Sequence, residues 1–305
     1  MEMRTADRTF RRDLIAAVYA GLGPEEELTA GMILKNNGVM REGIQIRKKD
    51  TGVSRVVYLD ELAARYEAGI PLSTLAEQVC ALKDRVEEMT KGKPEVFLND
   101  STFLERVSFR LISAGRNHDF LLQHPHRQVL DLAMVYCVSV PLGEGVQGTA
   151  MIRHEYAERA GVTEEELHEA AIRNAPLIYP PKLCRITDAI DELLTICTGK
   201  EAAEPFPQAD AVPLYVLSNT SGVYGAAAML YDGVISGFAA EKNCDLIILP
   251  SSVHEVILLP DEGLHRKEHL AQMVLEVNRT EVAAEEVLSD RIYRYDRNSD
   301  RLMFA

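Results

Sequence analysis

Residues 249–260 read LPSSVHEVILLP, and this stretch places two apolar segments on either side of a polar turn. The Pro-Ser-Ser run at 250–252 is typical of turns, whereas the flanking segments are rich in β-branched and aliphatic side chains. Side chains alternate between the two faces of a strand, so we expect His254 and Glu255 on opposite faces. The stretch therefore predicts two core strands that meet at a polar corner.

Strands and helices continue on both sides of this corner, in an order typical of an α+β fold. They do not alternate one for one, so the pattern favours mixed or antiparallel sheets over a doubly wound parallel sheet. Together they predict a C-terminal ββαββα module over residues 214–305 that ends in a hairpin. The predicted elements are strands at 214–219 and 223–230, a helix at 232–243, strands at 244–250 and 253–260, a helix at 264–278 and a hairpin at 291–304.

The rest of the chain divides into two further predicted modules. Residues 1–92 predict a helix, three strands and two helices, and the Asn-Gly pair at 37–38 indicates a hairpin turn. Residues 96–198 predict a central α+β module, in which the Thr-x-x-Glu run at 163–166 is a capping box at a helix start. Residues 199–213 are rich in proline and acidic residues and predict a linker.

Composition excludes several classes of function. The chain has 305 residues and a net charge of −14, which disfavours binding to the phosphate backbone of nucleic acids. It lacks a run of ~18 apolar residues and an apolar segment behind a basic N-terminus, so neither a membrane span nor a signal peptide is predicted. Five widely spaced cysteines without a CxxC pair favour free thiols and a cytoplasmic location.

The polar corner contains the residue types of a hydrolase without a known catalytic spacing. A zinc-protease HExxH helix needs a second histidine four residues after the first, and Leu258 occupies that position after His254. Ser251 and Ser252 lack the flanking glycines of a nucleophile elbow. We interpret the corner first as a structural turn, and second as a contact for a ligand or partner.

A second polar turn, SNTSGVYG at residues 218–225, precedes the corner in the chain. It contains neither GxGxxG nor GK[ST], so it lacks the pattern of a phosphate-binding loop. The three alanines that follow, at 226–228, favour a structural interpretation in which short side chains let a helix approach the sheet. The alternative is that the polar turn at Ser218, Asn219 and Ser221 binds a polar ligand, and Asn219 and Tyr224 are the candidate site residues.

A third candidate is a histidine cluster in the central module. His124 and His126 flank a proline, and His118 lies six residues before the first of them. Three imidazoles at this spacing could bind a transition metal, with Asp119 or Asp131 completing the site. The alternative interpretation is a solvated loop with a basic surface.

Several phrases of the sequence together resemble one bacterial family. These are LKNNGVMREGIQIR, HPHRQVLDLAMVY, NTSGVYGAAAML, ILPSSVHEVILLPDE and MVLEVNRTEVAAEEVLSDRIYRYDR. Over residues 25–298 they resemble the domain-of-unknown-function family 5688 of Firmicutes such as Lachnospiraceae. The layout is more weakly similar to the domain-of-unknown-function family 1444. The resemblance implies a bacterial cytosolic protein and supplies no catalytic residue or cofactor.

The leading hypothesis is a cytosolic binding or regulatory protein, without a cofactor, that contacts a protein or a small molecule. Its site is expected at the 218–225 turn and the 250–255 corner, with the candidate residues Asn219, Tyr224, Ser251, Ser252, His254 and Glu255. One alternative is a hydrolase or transferase built from the same serine, histidine, asparagine and tyrosine side chains. The other is a metal-binding protein that uses the 118–126 histidines.

Overall fold

A computed structural model describes most of the chain and divides it into two compact units. The first unit comprises residues 1–103 and 140–149, and the second comprises residues 104–139 and 150–305. The predicted linker at 199–213 falls outside the described residues except for its last position, as does the predicted boundary at 92–96. The residues described are 5–48, 54–89, 102–141, 147–198, 213–263 and 266–305.

The first unit packs helices on a three-stranded antiparallel meander of order β1-β2-β3. Phe10, Leu14 and Val18 share one face of the first helix at helical spacing and are buried against Ile44 of the second strand and Leu75 of the third helix. The elements are α1 (Thr5–Ala20), β1 (Glu26–Leu34), β2 (Met40–Lys48), β3 (Ser54–Tyr58), α2 (Leu59–Glu67) and α3 (Leu72–Met89).

The predicted hairpin at Asn37-Gly38 is confirmed. Asn37 and Gly38 both adopt positive φ angles, 61° and 69°, which asparagine and glycine tolerate best. The N–H of Lys35 donates to the carbonyl of Val39 at 2.7 Å and closes the turn between β1 and β2.

The second unit begins with a sheet in which β6 lies between β4 and β5. The predicted capping box is confirmed, because Thr163 and Glu166 exchange side-chain and backbone hydrogen bonds at the start of α6. That helix packs its buried face against β4. The elements between residues 107 and 178 are β4 (Val107–Ser113), α4 (His118–Leu121), β5 (His126–Val129), β6 (Leu132–Pro141), β7 (Gln147–Met151), α5 (His154–Ala160) and α6 (Glu164–Ile178), of which β6 and β7 extend into the 140–149 segment of the first unit.

The strands in the rest of the second unit form a six-stranded antiparallel sheet. The strand order β13-β12-β10-β11-β9-β8 places the two strands of the opening sequence stretch, β10 and β11, at its centre. The α+β class with antiparallel sheets is thereby confirmed. The elements are β8 (Pro181–Arg185), α7 (Ile186–Thr198), β9 (Tyr215–Asn219), α8 (Val234–Lys242), β10 (Asp245–Pro250), β11 (Val256–Asp261), α9 (Lys267–Thr280), β12 (Tyr293–Asp296) and β13 (Arg301–Phe304).

One predicted strand is wrong. Residues 223–230 were predicted to be extended, but Gly225–Leu230 forms a 3₁₀ helix that packs on β9. The three alanines at 226–228 are fully buried, so this segment fills space with short side chains instead of presenting alternating faces. Among the described residues, no helix has both the length and the apolar content needed to cross a membrane.

Candidate functional site

The polar corner between β10 and β11 is a tight turn held by its own side chains. Pro250 pairs with Val256, so the five residues between them form the turn. The hydroxyl of Ser252 accepts the backbone N–H of His254 at 3.0 Å, and the Ser252 N–H donates to the carbonyl of Glu255 at 3.2 Å. Ser252 therefore stabilises the turn with both its hydroxyl and its backbone N–H.

The second polar turn is organised by the buried amide of Asn219. Its Nδ2 donates to the carbonyl of Val223 at 3.0 Å, and its Oδ1 accepts both the N–H and the hydroxyl of Ser221, at 3.0 and 2.7 Å. Because the amide is satisfied on both sides, its burial costs little and fixes the course of the loop.

Three hydrogen bonds join this turn to the corner. Ser218 Oγ donates to the carbonyl of His254 at 2.8 Å, and the N–H of Ala226 donates to the carbonyl of Val253 at 3.3 Å. The third runs from the N–H of Tyr224 to Nδ1 of His254, at 3.1 Å. The two turns, 30 residues apart in sequence, therefore form one structure in the second unit.

The ring of His254 is held between a backbone donor and a carboxylate. Its Nδ1 accepts the N–H of Tyr224, so the neutral ring carries its proton on Nε2. Nε2 lies 3.6 Å from Oε1 of Glu286, and the side chain of His254 is 31% exposed. Both ring nitrogens thus face protein groups while one side of the ring is open to solvent.

The ring of Tyr224 connects His254 to a cation. Its centroid lies 5.6 Å from that of His254, and the guanidinium carbon of Arg110 in β4 lies 3.8 Å above it. Tyr224 itself has φ of 51°, in the left-handed region that a bulky residue rarely adopts. A fixed array of cation, aromatic ring and imidazole results, with Val223 beside it 51% exposed.

Comparison with known sequences identifies the family of the chain. A sequence model described as Family of unknown function (DUF5688) matches residues 8–297. The chain belongs to the DUF5688 family. No curated protein and no solved structure matches it. The weaker similarity to family 1444 stays a prediction.

The structure of this DUF5688 chain brings some of the candidate residues together and separates others. Asn219, Tyr224, Ser252 and His254 belong to the joined pair of turns described above. Ser251 and Glu255 lie at its margin, where the hydroxyl is 3.5 Å from the carboxylate.

Neither serine of the corner contacts the imidazole ring of His254. Ser252 Oγ accepts from the backbone N–H of that residue, and the ring nitrogens face the Tyr224 N–H and Glu286 instead. A nucleophilic hydroxyl needs a base within hydrogen-bond reach, and the His254 ring does not take that position towards either serine.

Two residues beside the joined turns, Arg110 and Glu286, were not indicated by the sequence, whereas Ser218 was indicated as part of the second polar turn. Arg110 and Glu286 come from segments far from the two turns, so no local pattern could indicate them. Ser218 lies in the turn that the sequence did single out, but its partner is a backbone carbonyl of the corner.

The three candidate metal histidines of the DUF5688 chain occupy different environments. His118 is exposed beside Asp119, whereas His124 is buried, stacks on the Phe120 ring at 3.8 Å and donates from Nδ1 to the Phe120 carbonyl at 2.7 Å. Nδ1 of His126 lies 2.9 Å from the carbonyl of His124. Within the described ranges, no group of three histidine, cysteine, aspartate or glutamate residues could hold a metal ion.

The buried His124 predicts a pH dependence of stability. Burial lowers the pKa of His124 below its usual 6.5, against an opposing effect of the bond to Phe120. At a pH between the lowered and the usual pKa, His124 binds a proton more readily in the unfolded chain than in the folded one. The free energy of unfolding therefore falls as the pH drops through about 6.5. We expect His124→Gln to reduce the loss of unfolding free energy between about pH 7.5 and about pH 5, measured by urea titration. Equal losses in both proteins would contradict this prediction.

Proposed function

We propose that the protein is a non-enzymatic binding or regulatory protein of the bacterial cytoplasm. Its contact site is the corner surface, which we define as Val223, Tyr224 and His254 together with the flanking Arg110 and Glu286. The partner is a protein or a small molecule and not a nucleic acid, because the chain carries a net charge of −14.

The observation that carries this proposal is the fixed left-handed backbone at Tyr224. A non-glycine residue in this conformation costs about 1 kcal/mol or more and persists only where surrounding contacts impose it. Here the contacts are the Tyr224 N–H bond to His254, the Asn219 amide bridge and the Arg110 guanidinium above the ring. The chain thus maintains an unfavourable conformation at a position where it presents an aromatic ring beside an exposed valine.

The chemistry of the corner surface is that of a protein contact. Tyrosine and arginine are enriched at interfaces, where they provide large contact areas with few rotatable bonds. The backbone N–H groups of Ser221, Val223 and Tyr224 are satisfied within the two turns, so the loop is already ordered before binding. Pre-ordering lowers the entropic cost of association and leaves the side chains to provide specificity.

A charge inserted at Val223 tests the proposal. Val223→Asp leaves the hydrogen bonds of both turns in place and adds a carboxylate to the contact area. The control Leu177→Asp adds one to a more exposed site on α6, where 75% of the leucine is accessible against 51% of Val223. Wild-type and Leu177→Asp proteins, used as bait in lysate of the native host, should recover the same partner by quantitative mass spectrometry. Val223→Asp should recover about a tenth or less.

Two outcomes would count against the proposal. One is recovery of the partner by Val223→Asp at the wild-type level, and the other is an equal loss with Leu177→Asp. Thermal unfolding of all three proteins must coincide, so that a loss of recovery reports the surface and not the fold.

A further inference from the structure

The outer edge of β1, in the first unit, pairs with no other strand among the residues that the structure describes. Within the described part of the chain, β1 pairs with β2 on one side and with no strand on the other. The strand is nine residues long, Glu26–Leu34, and contains no lysine, arginine or proline. These are the residues that usually protect an exposed edge from pairing with another chain.

The hairpin geometry shows which backbone groups face outward. The Lys35 N–H donates to Val39 across the turn, so every second residue before it also bonds to β2. The residues between them direct their N–H and C=O groups to the open edge. Glu26 fits this alternation, because its N–H points away from β2 and donates to the carbonyl of Gly23. Besides Glu26, the residues whose backbone N–H and C=O groups face the open edge are Leu28, Ala30, Met32 and Leu34.

An apolar strip lies beside this open edge. Met32 and Leu34 are each 57% exposed, and Met40, which pairs with Leu34 across the hairpin, is 48% exposed. They lie on the same face as the buried Ile44 and Ile46, so the strip continues the core-facing side of the sheet into solvent. An added strand would cover this strip with alternate side chains.

A groove follows the same edge at the beginning of β1. Its volume is about 800 Å³, and its lining includes the four consecutive residues at 26–29. Consecutive residues of a strand point to opposite faces, so a groove that touches four in a row runs along the edge and not over one face. Glu26, Glu27 and Tyr19 of α1 belong to its lining, and the Glu26 carboxylate also accepts the N–H of Gly23 at 2.6 Å.

We propose that the β1 edge binds an extended segment of a partner protein, which pairs antiparallel to Leu28–Leu34 as a fourth strand. The segment carries alternating apolar residues beside Met32 and Leu34, and lysine or arginine at its C-terminal end beside Glu26 and Glu27. Charge selects this occupant over a second copy of the chain, since two copies each carrying −14 repel one another. This surface is separate from the corner surface, and either proposal can fail alone.

The test uses the whole protein and a capped, fluorescently labelled octapeptide. The peptide has six alternating valine and threonine residues followed by two lysines, and its binding is measured by fluorescence anisotropy. We expect saturable binding that weakens about tenfold when two glutamates replace the lysines. Methylation of the alternate backbone nitrogens that face β1 should weaken it by at least a similar factor, since the peptide then loses its N–H donors to the edge.

Variants of the chain locate the binding to β1. Ala30→Pro removes one outward N–H without touching the bonds to β2, and Met32→Lys places a charge on the exposed strip. Each should weaken the peptide about tenfold, whereas Leu122→Lys, at an exposed site of the second unit, should not. A peptide affinity that is unchanged by backbone methylation and by both β1 variants would overturn the proposal. So would a dimer of the wild-type protein in sedimentation that Met32→Lys abolishes.

Discussion

Gly225→Ala is expected to destabilise the protein by about 3 kcal/mol, because no room exists for a single added carbon at this position. A Cβ there would lie 2.6 Å from the amide nitrogen of Asn219 and 2.6 Å from the carbonyl oxygen of His254, and would overlap the hydroxyl of Ser218. Two of these three obstacles are backbone atoms, and they belong to the two turns that meet at the site. A rotamer change therefore cannot relieve the contact, and the turns must separate.

The substitution also tests whether the two turns depend on each other. The amides of Tyr224 and Ala226 donate across the junction, so their hydrogen exchange should accelerate in Gly225→Ala. Adding Ser218→Ala should not restore stability, because only one of the three obstacles is removed. Denaturant unfolding and exchange by mass spectrometry or NMR provide the two measurements.

Gly237→Ala provides the matched control. Gly237 lies in α8, is exposed, and has no heavy atom within 4 Å of an added Cβ. Alanine should therefore be neutral or stabilising there by about 0.5–1 kcal/mol. Equal effects of the two substitutions would contradict the close approach of the turns at Gly225.

The sequence predicts the central hairpin well and its corner less well. Alternation and the Pro-Ser-Ser turn correctly indicate two core strands, but they extend the second strand back to Val253, whereas β11 begins at Val256. The reason is the Ser252 hydroxyl, which accepts the N–H of His254 and keeps residues 251–255 in the turn. His254 therefore does not follow the alternation of a strand, and its ring reaches Tyr224 instead.

The meeting of the two turns is not visible in the sequence because it depends on strand order. β9 and β11 are neighbours in the sheet, with Leu217 paired to Val256, although β10 and α8 separate them along the chain. This pairing brings the end of β9 next to the corner. A pattern of local hydrophobicity contains no information about which strands become neighbours. The composition of each turn was predictable, and their shared site was not.

The second large effect is expected from Asp131→Ala, at about 3 kcal/mol of unfolding free energy. Asp131, which the sequence offered as a metal ligand, instead accepts the hydroxyls of Ser289 at 2.7 Å and Tyr293 at 2.8 Å. Both donors belong to buried residues, with 2% and 0% exposure, so removal of the carboxylate takes the acceptor from two hydroxyls in a buried environment. The Ser289 oxygen still accepts the N–H of Arg291 at 2.9 Å. Each such group costs about 1–3 kcal/mol.

A double-mutant cycle separates this network from simple loss of packing. Tyr293→Phe removes one donor while leaving the bond between Asp131 and Ser289 intact, so it should cost less than Asp131→Ala. In the Asp131→Ala background the same change removes a hydroxyl that has already lost its carboxylate acceptor, so it should cost less than in the wild-type protein. The difference predicts a coupling of about 1–2 kcal/mol between the two positions, and urea titration of the four proteins measures it. The two residues lie 162 positions apart in the sequence, and their contact joins the β5–β6 turn to β12. Additive effects of the two substitutions would show that the carboxylate and the tyrosine act independently.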